Sequence, residues 1–204
     1  MIAIVDYGLG NIHAFINIYK KLGIPAIVAK SEEDIKGADK IILPGVGAFD
    51  WAMTKLNASG LRNSLDNAVL HEKKPILGVC VGMQMMTNRS EEGNEPGMGW
   101  VEGEVVKFSF KTQETVKPLP HMGWNDIVPV GNAEIFRSIA DPKYYFLHSF
   151  HVRPRNSSVI LAESEYGEKF TSAFKAENIY GMQFHPEKSH HWGVSLLKNF
   201  AELS

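Results

Sequence analysis

The sequence feature that most constrains the fold of this chain is a short apolar run that leads directly into a cysteine between two glycines. The run covers residues 75–79, and Gly78 and Gly82 each lie two positions from Cys80. Residues 81–87 continue as the first turns of a helix. A strand, a tight turn that carries a nucleophile and a helix together form a nucleophile elbow. We therefore expect Cys80 at a strained backbone position, with glycines where a Cβ atom would clash.

Cys80 taken alone has two interpretations. A lone cysteine beside a buried strand is commonly a small buried hydrophobic residue without a chemical role. The elbow pattern favours a nucleophile instead, because the turn places the sulfur above the sheet edge and the helix N-terminus stabilises a thiolate. The nucleophile interpretation also requires a base and a group that orients the base.

The order of apolar and helical patterns predicts the fold class. Strands are predicted at 1–5, 26–29 and 40–43. A first helix follows the strand at 1–5 and ends at Gly23, and Ser31 can cap a second helix. Further helices are predicted at 49–57 and 61–72. The later part has short strand patterns at 103–110, 126–130, 144–147, 159–162, 170–174 and 179–184, and a last helix at 190–203. We expect an α/β fold with a mostly parallel central sheet flanked by helices and an antiparallel addition.

The composition is that of an ordinary soluble globular protein. The 204 residues are 44% hydrophobic and 22% charged, which predicts a single domain over residues 1–204. The net charge of −2 gives no indication of a nucleic acid or an anionic membrane as a partner. One cysteine excludes an internal disulfide bond and fits a reducing compartment. No apolar run approaches the ~20 residues of a membrane span and no basic leader is present, so we expect a cytoplasmic protein.

Two glycine-rich turns follow predicted strands. Gly8-x-Gly10 resembles the start of a dinucleotide-binding turn, but His13 stands where the third glycine belongs, so a tight turn before the first helix is the better interpretation. Pro44-Gly45-Val46-Gly47 follows the third strand. Backbone N–H groups there can stabilise a developing oxyanion. An ordinary strand-to-helix loop is the alternative interpretation of this segment.

The best candidate for the base is a histidine at the end of the last predicted strand. His185 is followed by Pro186, which fixes one backbone torsion, and by the carboxylate of Glu187. His185 could accept the thiol proton while Glu187 orients the imidazole. Three other histidines border polar turns and compete for this role, but none has a carboxylate two residues on: His121, His148 and His151. No His, Cys or Glu cluster has metal-ligand spacing, so we expect neither a metal nor another cofactor.

Three of these motifs resemble the class I, or triad, glutamine amidotransferases: G-V-C-V-G-M-Q around Cys80, P-G-V-G from Pro44, and Q-F-H-P-E-K from Gln183. The resemblance implies a flavodoxin-like fold and a glutaminase that converts L-glutamine to glutamate and ammonia through a thioester on the cysteine, without a cofactor. The implied catalytic residues are Cys80, His185 and Glu187. The implied oxyanion hole is formed by the amides of Val46, Gly47 and Val81. The implied glutamine-binding residues are Gln84 and the backbone of His148, Ser149 and Phe150.

A narrower resemblance covers essentially the full length. D-Y-G-x-G-N from Asp6, H-M-G-W-N from His121 and Y-F-L-H-S from Tyr145 are similar to motifs of the glutaminase subunits of imidazole glycerol phosphate synthases. Two departures are mild: Val81 stands where these subunits usually have Leu, and Phe150 where Tyr is common. The resemblance implies a heterodimer with a (β/α)8-barrel synthase (cyclase) subunit. That partner would use the ammonia to make imidazole glycerol phosphate and AICAR in histidine biosynthesis.

The resemblance also implies where the partner binds. The matching interface and ammonia-gate positions are Asn11, Trp124, Tyr145 and Lys188. Trp124 is expected in a Gly-Trp-Asn turn as an exposed anchor, since exposed aromatic residues carry much of the energy of an interface. A core tryptophan is the alternative. A coupled glutaminase is expected to be slow alone, because the 44–47 segment would adopt its productive orientation only when the partner is loaded.

Other functions fit part of the pattern. A paralogous amidotransferase subunit could supply ammonia for the amidination of a surface-polysaccharide sugar with the same chemistry. A stand-alone cysteine hydrolase or peptidase could use a similar elbow. A scaffold without activity is disfavoured, because a nucleophile, a base and a carboxylate are all present.

Overall fold

A computed structural model describes residues 1–131 and 133–203, and strands and helices alternate through its first part. The strands are β1 (Ile2–Val5), β2 (Ala26–Ala29), β3 (Lys40–Leu43), β4 (Ile76–Val79), β5 (Arg89–Ser90), β6 (Gly103–Lys107), β7 (His121–Asp126), β8 (Val128–Pro129), β9 (Lys143–His148), β10 (Phe150–Pro154), β11 (Ile160–Glu165), β12 (Lys169–Ala176) and β13 (Ile179–Met182). The α-helices are α1 (Ile12–Leu22), α2 (Glu32–Lys36), α3 (Phe49–Ala58), α4 (Arg62–Asp66), α5 (Val81–Met85) and α6 (His190–Glu202). In the described residues no helix combines the length and apolarity that a membrane crossing needs.

The central sheet has eight strands in the order β2-β1-β3-β4-β13-β12-β11-β8. Pairs from β2 to β13 are parallel, and the pairs beyond β13 are antiparallel. The expected mostly parallel core with an antiparallel addition is confirmed. One detail of that expectation is wrong, because β13 belongs to the parallel part: it pairs with β4 in the register Met182–Val79. This pairing puts the ends of both strands at one sheet edge.

Apolar side chains cover both faces of this sheet. One buried cluster packs α3, α4 and α5 on the sheet, with Phe49, Leu56 and Leu65 fully buried. The other packs α1 and α6 on the opposite face, where Phe15, Leu197 and Phe200 are buried. The helical spacing of apolar residues thus predicts the buried faces correctly. Trp192 at the start of α6 is only partly buried and packs against this cluster.

Local signals explain the ends of the first two helices. Gly23 ends α1 in a left-handed conformation with φ of 69°, and its N–H donates to carbonyls of the last turn. Ser31 caps α2 in a capping box, since its side chain accepts from the Asp34 N–H while the Asp34 carboxylate accepts from the Ser31 N–H. The segment 61–72 is helical as predicted, but it is not one regular α-helix. It is α4 followed by a π-helical turn (Asn67–His71), in which the chain widens before β4.

Two smaller sheets lie beside the central one, and the sequence does not predict them. β7 and β9 form an antiparallel two-stranded ribbon, and β10, β6 and β5 form a three-stranded sheet. The expected Gly-Trp-Asn turn is wrong, because residues 121–126 are strand β7. Strand β10 also carries no strand pattern of its own. Both segments contain histidines and polar residues, so alternation of apolar and polar side chains does not reveal them.

The elbow glycines are required by close packing. A Cβ atom on Gly82 would lie 2.1 Å from the carbonyl oxygen of Leu43 and one on Gly78 would lie 2.6 Å from the Cε atom of Met86. We expect Gly82→Ala to lower the free energy of unfolding by about 3 kcal/mol, because β3 or α5 must move. Denaturant unfolding measures this change. Gly37→Ala is the control, since its nearest neighbour is the Glu33 carbonyl oxygen at 3.3 Å and a change within about 1 kcal/mol is expected.

Candidate active site

Cys80 occupies the strained turn that the elbow pattern predicts. Its backbone has φ of 56° and ψ of −116°, a region that residues with a Cβ rarely adopt. The strain is held by the flanking structure: the Cys80 N–H donates to the Met182 carbonyl at 2.8 Å, and α5 starts at the next residue. The side chain is nearly buried, with 7% exposed. The sulfur therefore lies at the carboxyl end of β4, at the N-terminus of a helix.

His185 and Glu187 lie at the end of the neighbouring strand. His185 Nδ1 and Glu187 Oε1 are 2.9 Å apart, and both side chains are 2% exposed. The His185 N–H donates to the Tyr145 carbonyl at 2.9 Å, which ties the turn after β13 to β9. Glu187 Oε2 is buried and has no hydrogen-bond partner in the described residues, so the carboxylate charge is directed mainly at the imidazole.

The pKa of His185 is raised to about 10. Burial alone would lower it, but the interactions with the Cys80 side chain and with the Glu187 carboxylate outweigh burial. At neutral pH the ring is therefore an imidazolium that faces the sulfur. Because the folded pKa lies above the usual value of ~6.5, this residue's contribution to stability is full below that value and is lost as the pH rises toward 10.

The 44–47 segment faces the same site. Val46, Gly47 and Val81 line a cavity next to Cys80, and Gly47 has φ of 92°. The segment is held at its start, because the Tyr7 hydroxyl donates to the Pro44 carbonyl at 2.9 Å. Burial raises the pKa of Tyr7, so this donor remains protonated.

The cavity has a volume of ≈ 300 Å³, in the range that small molecules occupy. It brings together most of the site residues that the sequence predicts, and it is lined by Val46, Gly47, Cys80, Val81, Gln84, His148, Ser149, Phe150, His185 and Lys188, with Glu92, Pro120 and Leu147 in addition. The buried Gln84 uses its amide nitrogen to bind the Phe150 carbonyl and the Gln183 Oε1 atom, each at 3.0 Å. It thus fixes the wall formed by residues 148–150.

Glu92 is a site residue that sequence reasoning missed. Its Oε2 atom accepts the Phe49 N–H at 2.9 Å, and its side chain borders the cavity. Its carboxylate can therefore interact with a positively charged group of a molecule bound in the cavity. The polar loop at 91–99 contains several acidic residues without periodic spacing, and no sequence signal distinguishes this one. Gln183, whose Nε2 atom lies 3.9 Å from the Cys80 sulfur, belongs to one of the family motifs but is not among the predicted site residues.

Of the three rival histidines, His148 lines the cavity, but its ring nitrogens face His121 and the Phe150 carbonyl; His121 and His151 do not line it. His121, His148 and His151 are buried. His121 begins β7 after the polar 111–120 loop and His148 ends β9, as expected at the borders of turns, whereas His151 lies within β10. Burial lowers the pKa of His121 to about 4, burial and the neighbouring His121 hold the pKa of His148 well below its usual value, and burial lowers the pKa of His151. These rings are therefore neutral at pH 7.

The predicted partner-binding residues surround the same edge of the sheet. Trp124 is 43% exposed, so the core interpretation of this tryptophan is wrong. Its ring stacks on His190 at 5.1 Å and lies 6.3 Å from the ring of Tyr145. Lys188 Nζ lies 5.8 Å from the centre of the Tyr145 ring. Asn11 is exposed directly before α1, on the loop that follows β1.

Two exposed apolar residues extend this surface, and the sequence gives no signal for them. Met122 is 64% exposed and Leu147 is 37% exposed. Met122 pairs with Leu147 across the ribbon, as Trp124 pairs with Tyr145. Because side chains alternate along a strand, all four project from one face of the β7–β9 ribbon. We call this the outer ribbon face; exposed apolar groups in such a row are typical of an interaction surface.

Curated relatives match the chain over its full length. The imidazole glycerol phosphate synthase subunit HisH of Bdellovibrio bacteriovorus is 52% identical over 204 residues, which is 100% of both chains. The subunit of the same name from Leptospira borgpetersenii is 46% identical with the same coverage. A relative from Pseudomonas aeruginosa, named imidazole glycerol phosphate synthase subunit HisH 2, is also 46% identical over 100% of both chains.

Solved structures share the fold at low identity. A structure described as a glutamine amidotransferase has a TM-score of 0.75 at 18% identity, with 98% of this chain and 97% of that chain covered. The structure of PurLQS from Thermotoga maritima has a TM-score of 0.69 at 15% identity, with coverage of 98% and 97%. The family model described as glutamine amidotransferase class-I matches residues 3–203. With its relatives, its fold and this match in agreement, the chain belongs to the class-I glutamine amidotransferases.

Proposed function

We propose that this chain is the glutaminase subunit of an imidazole glycerol phosphate synthase and acts on L-glutamine as one domain over residues 1–204. The observation that carries the proposal is the meeting of Cys80, His185 and Glu187 beside one cavity at the ends of β4 and β13. The 52% identity to a named subunit over the full length supports the choice within the family.

The reaction follows from these groups. The Cys80 thiolate attacks the γ-carboxamide carbon of glutamine and forms a tetrahedral intermediate, whose oxyanion the amides of Val46, Gly47 and Val81 stabilise. His185 donates its proton to the leaving nitrogen, and ammonia departs as the γ-glutamyl thioester forms. His185 then accepts a proton from water, which attacks the thioester and releases glutamate. Glu187 keeps the imidazole in the orientation that both proton transfers need.

Recognition of glutamine uses the cavity wall. The backbone of His148, Ser149 and Phe150 binds the α-carboxylate, and Gln84 supports that wall. Glu92 supplies the negative charge for the α-ammonium group, since its carboxylate borders the cavity while Phe49 N–H fixes one oxygen. An opposite charge in a partly enclosed cavity favours amino acids over simple amides.

The ammonia passes to a (β/α)8-barrel synthase subunit that binds the outer ribbon face, with Asn11 and Lys188 at its border. This face combines exposed apolar side chains with direct proximity to the cavity, because Leu147 belongs to both. Tyr145 contributes its side chain to the face and its backbone carbonyl to the His185 N–H. Docking there closes the cavity toward solvent and leaves the partner as the exit for ammonia.

The test is glutamate production from L-glutamine by the chain alone and after addition of a purified barrel subunit with its ligand. We expect a slow reaction alone and an increase of about 10²–10³-fold in the complex, the effect of completing an oxyanion hole. Equal rates would contradict the coupling, and no hydrolysis in either state would contradict the proposal. A complex that hydrolyses glutamine but does not rescue a histidine auxotroph would favour a paralogous pathway, such as the amidination of a sugar.

Trp124→Ala tests the docking surface separately. Loss of a central aromatic anchor is expected to weaken partner binding about 30-fold, or about 2 kcal/mol, as measured by calorimetry. Leu70→Ala is the control: this side chain is 38% exposed but precedes β4 at the opposite end of the sheet. Unchanged affinity of the Trp124 variant would place the partner elsewhere.

A further inference from the structure

A chain of neutral polar groups runs through the inner side of the β7–β9 ribbon to the cavity. His121 and His148 pair across the ribbon, and His121 Nδ1 lies 3.0 Å from His148 Nε2. His148 Nδ1 lies 2.8 Å from the Phe150 carbonyl oxygen. Asn125 Nδ2 lies 3.3 Å from His121 Nε2, at the other end of this row of hydrogen-bonded groups.

The Phe150 carbonyl fixes the direction of each hydrogen bond in this row of side chains. The Phe150 oxygen can only accept, so His148 Nδ1 carries a proton and, in a neutral ring, Nε2 is the acceptor. His121 Nδ1 must therefore donate to it, and His121 Nε2 must accept from the Asn125 amide. Burial lowers the pKa of both rings far enough that they are neutral at pH 7. One arrangement of protons satisfies every group.

We propose that His121 is a positioning residue for glutamine binding: its Nδ1–H donates to His148 Nε2, orients the His148 ring and thereby holds the Phe150 carbonyl at the cavity wall. The inference rests on the proposed function, in which residues 148–150 bind the α-carboxylate of glutamine. His121 itself is 3% exposed and does not line the cavity. It acts through His148.

Packing alone would give His121 a different role. Its ring stacks between Tyr166 at 4.0 Å and Phe146 at 4.8 Å, so it also fills space in an aromatic cluster. Two substitutions separate the roles. His121→Phe keeps an aromatic ring in the stack and removes the donor, which leaves His148 Nε2 buried without a partner. His121→Asn removes the ring and keeps an amide donor close to the Nδ1 position.

Steady-state glutaminase kinetics of the complex with the barrel subunit provide the first test. With His121→Phe we expect KM for glutamine to rise about 5- to 10-fold, the loss of one neutral hydrogen bond, while kcat stays within about two-fold. With His121→Asn we expect KM within about two-fold of the wild type. The opposite order, a larger KM for Asn than for Phe, would overturn the proposal and assign His121 to packing. The control is His151→Phe, which replaces a buried histidine that is not hydrogen-bonded to His121 or His148. It is expected to leave KM for glutamine within about two-fold of the wild type.

Long-range ¹⁵N–¹H NMR of the histidine rings provides the second test and needs no catalysis. We expect the Nδ1–H tautomer for His148 in all three proteins, because the Phe150 carbonyl remains, and a downfield shift of the His148 Nε2 resonance in His121→Phe alone, where this nitrogen loses its donor. A wild-type His148 in the Nε2–H form would overturn the proposal even if the enzyme is active. A wild type without glutaminase activity but with the expected tautomers would instead count against the proposed function.

Discussion

Glutamine hydrolysis should fall by at least about 10⁴-fold when Cys80 is replaced by alanine, because the side chain that forms the thioester is lost and the sequence has no second cysteine. Cys80→Ser keeps the shape of the side chain but replaces the sulfur by a less nucleophilic hydroxyl oxygen. We expect a loss of similar order for serine. The measurement is glutamate release by the complex at saturating glutamine.

Turnover with ammonia distinguishes a loss of glutamine hydrolysis from a loss of folding or of complex formation. Complexes that contain Cys80→Ala should still turn over the partner's substrate when an ammonium salt replaces glutamine, at a rate close to that of the wild type. Retained ammonia-dependent turnover shows that the subunits are folded and joined. A Cys80→Ser protein with full glutamine-dependent activity would refute the nucleophile assignment.

The second large effect is expected at His185. His185→Ala should lower kcat for glutamine by about 10⁴-fold, since the proton donor for ammonia and the base for water are lost together. Glu187→Gln should lower kcat by about 10²–10⁴-fold, because the ring loses the charge that orients it. His71→Ala, at an exposed position beyond the opposite end of the sheet, is the control.

Alkylation of Cys80 by iodoacetamide tests the same pair without substrate. Because the pKa of His185 is raised to about 10, its ring is charged between pH 6 and 8 and favours negative charge on the attacking sulfur. In His185→Ala the rate at pH 6 should be at least ten-fold below that of the wild type. Equal rates at pH 6 would mean that the imidazolium does not act on the sulfur.

The sequence predicts the parallel part of the fold well, because its elements carry strong local signals. The apolar runs of β1 to β4, the glycine at the end of α1 and the serine before α2 each correspond to a boundary in the structure. The elbow is a local motif too, since its glycines and its turn lie within a few residues. The nucleophile and the base come from distant segments, so the sequence pairs them only as a hypothesis, from the His-Pro-Glu pattern and the family resemblance, until the register of β4 and β13 is known.

The ribbon and its surfaces lie beyond local prediction. Strand β7 reads as a turn because Gly123 and Asn125 interrupt it, and its inner side is filled by histidine rather than by aliphatic residues. The strand conformation of β7 and the burial of its histidine depend on the partner strand β9 and on the stacked aromatic rings, which are distant in sequence. Glu92 and Met122 also need three-dimensional neighbours before they can be assigned a role.

The parallel pairing of β4 with β13 has a consequence for thermal inactivation. Cys80 directly follows β4 and His185 lies three residues beyond β13, so the pairing of these two central strands brings the sulfur and the imidazole to the same sheet edge. This alignment should survive heating until the sheet itself unfolds. Activity that is lost at a lower temperature than the cooperative unfolding transition would therefore report the loosening of the 44–47 segment or of the ribbon. The gap between the two temperatures measures how independently those outer parts move.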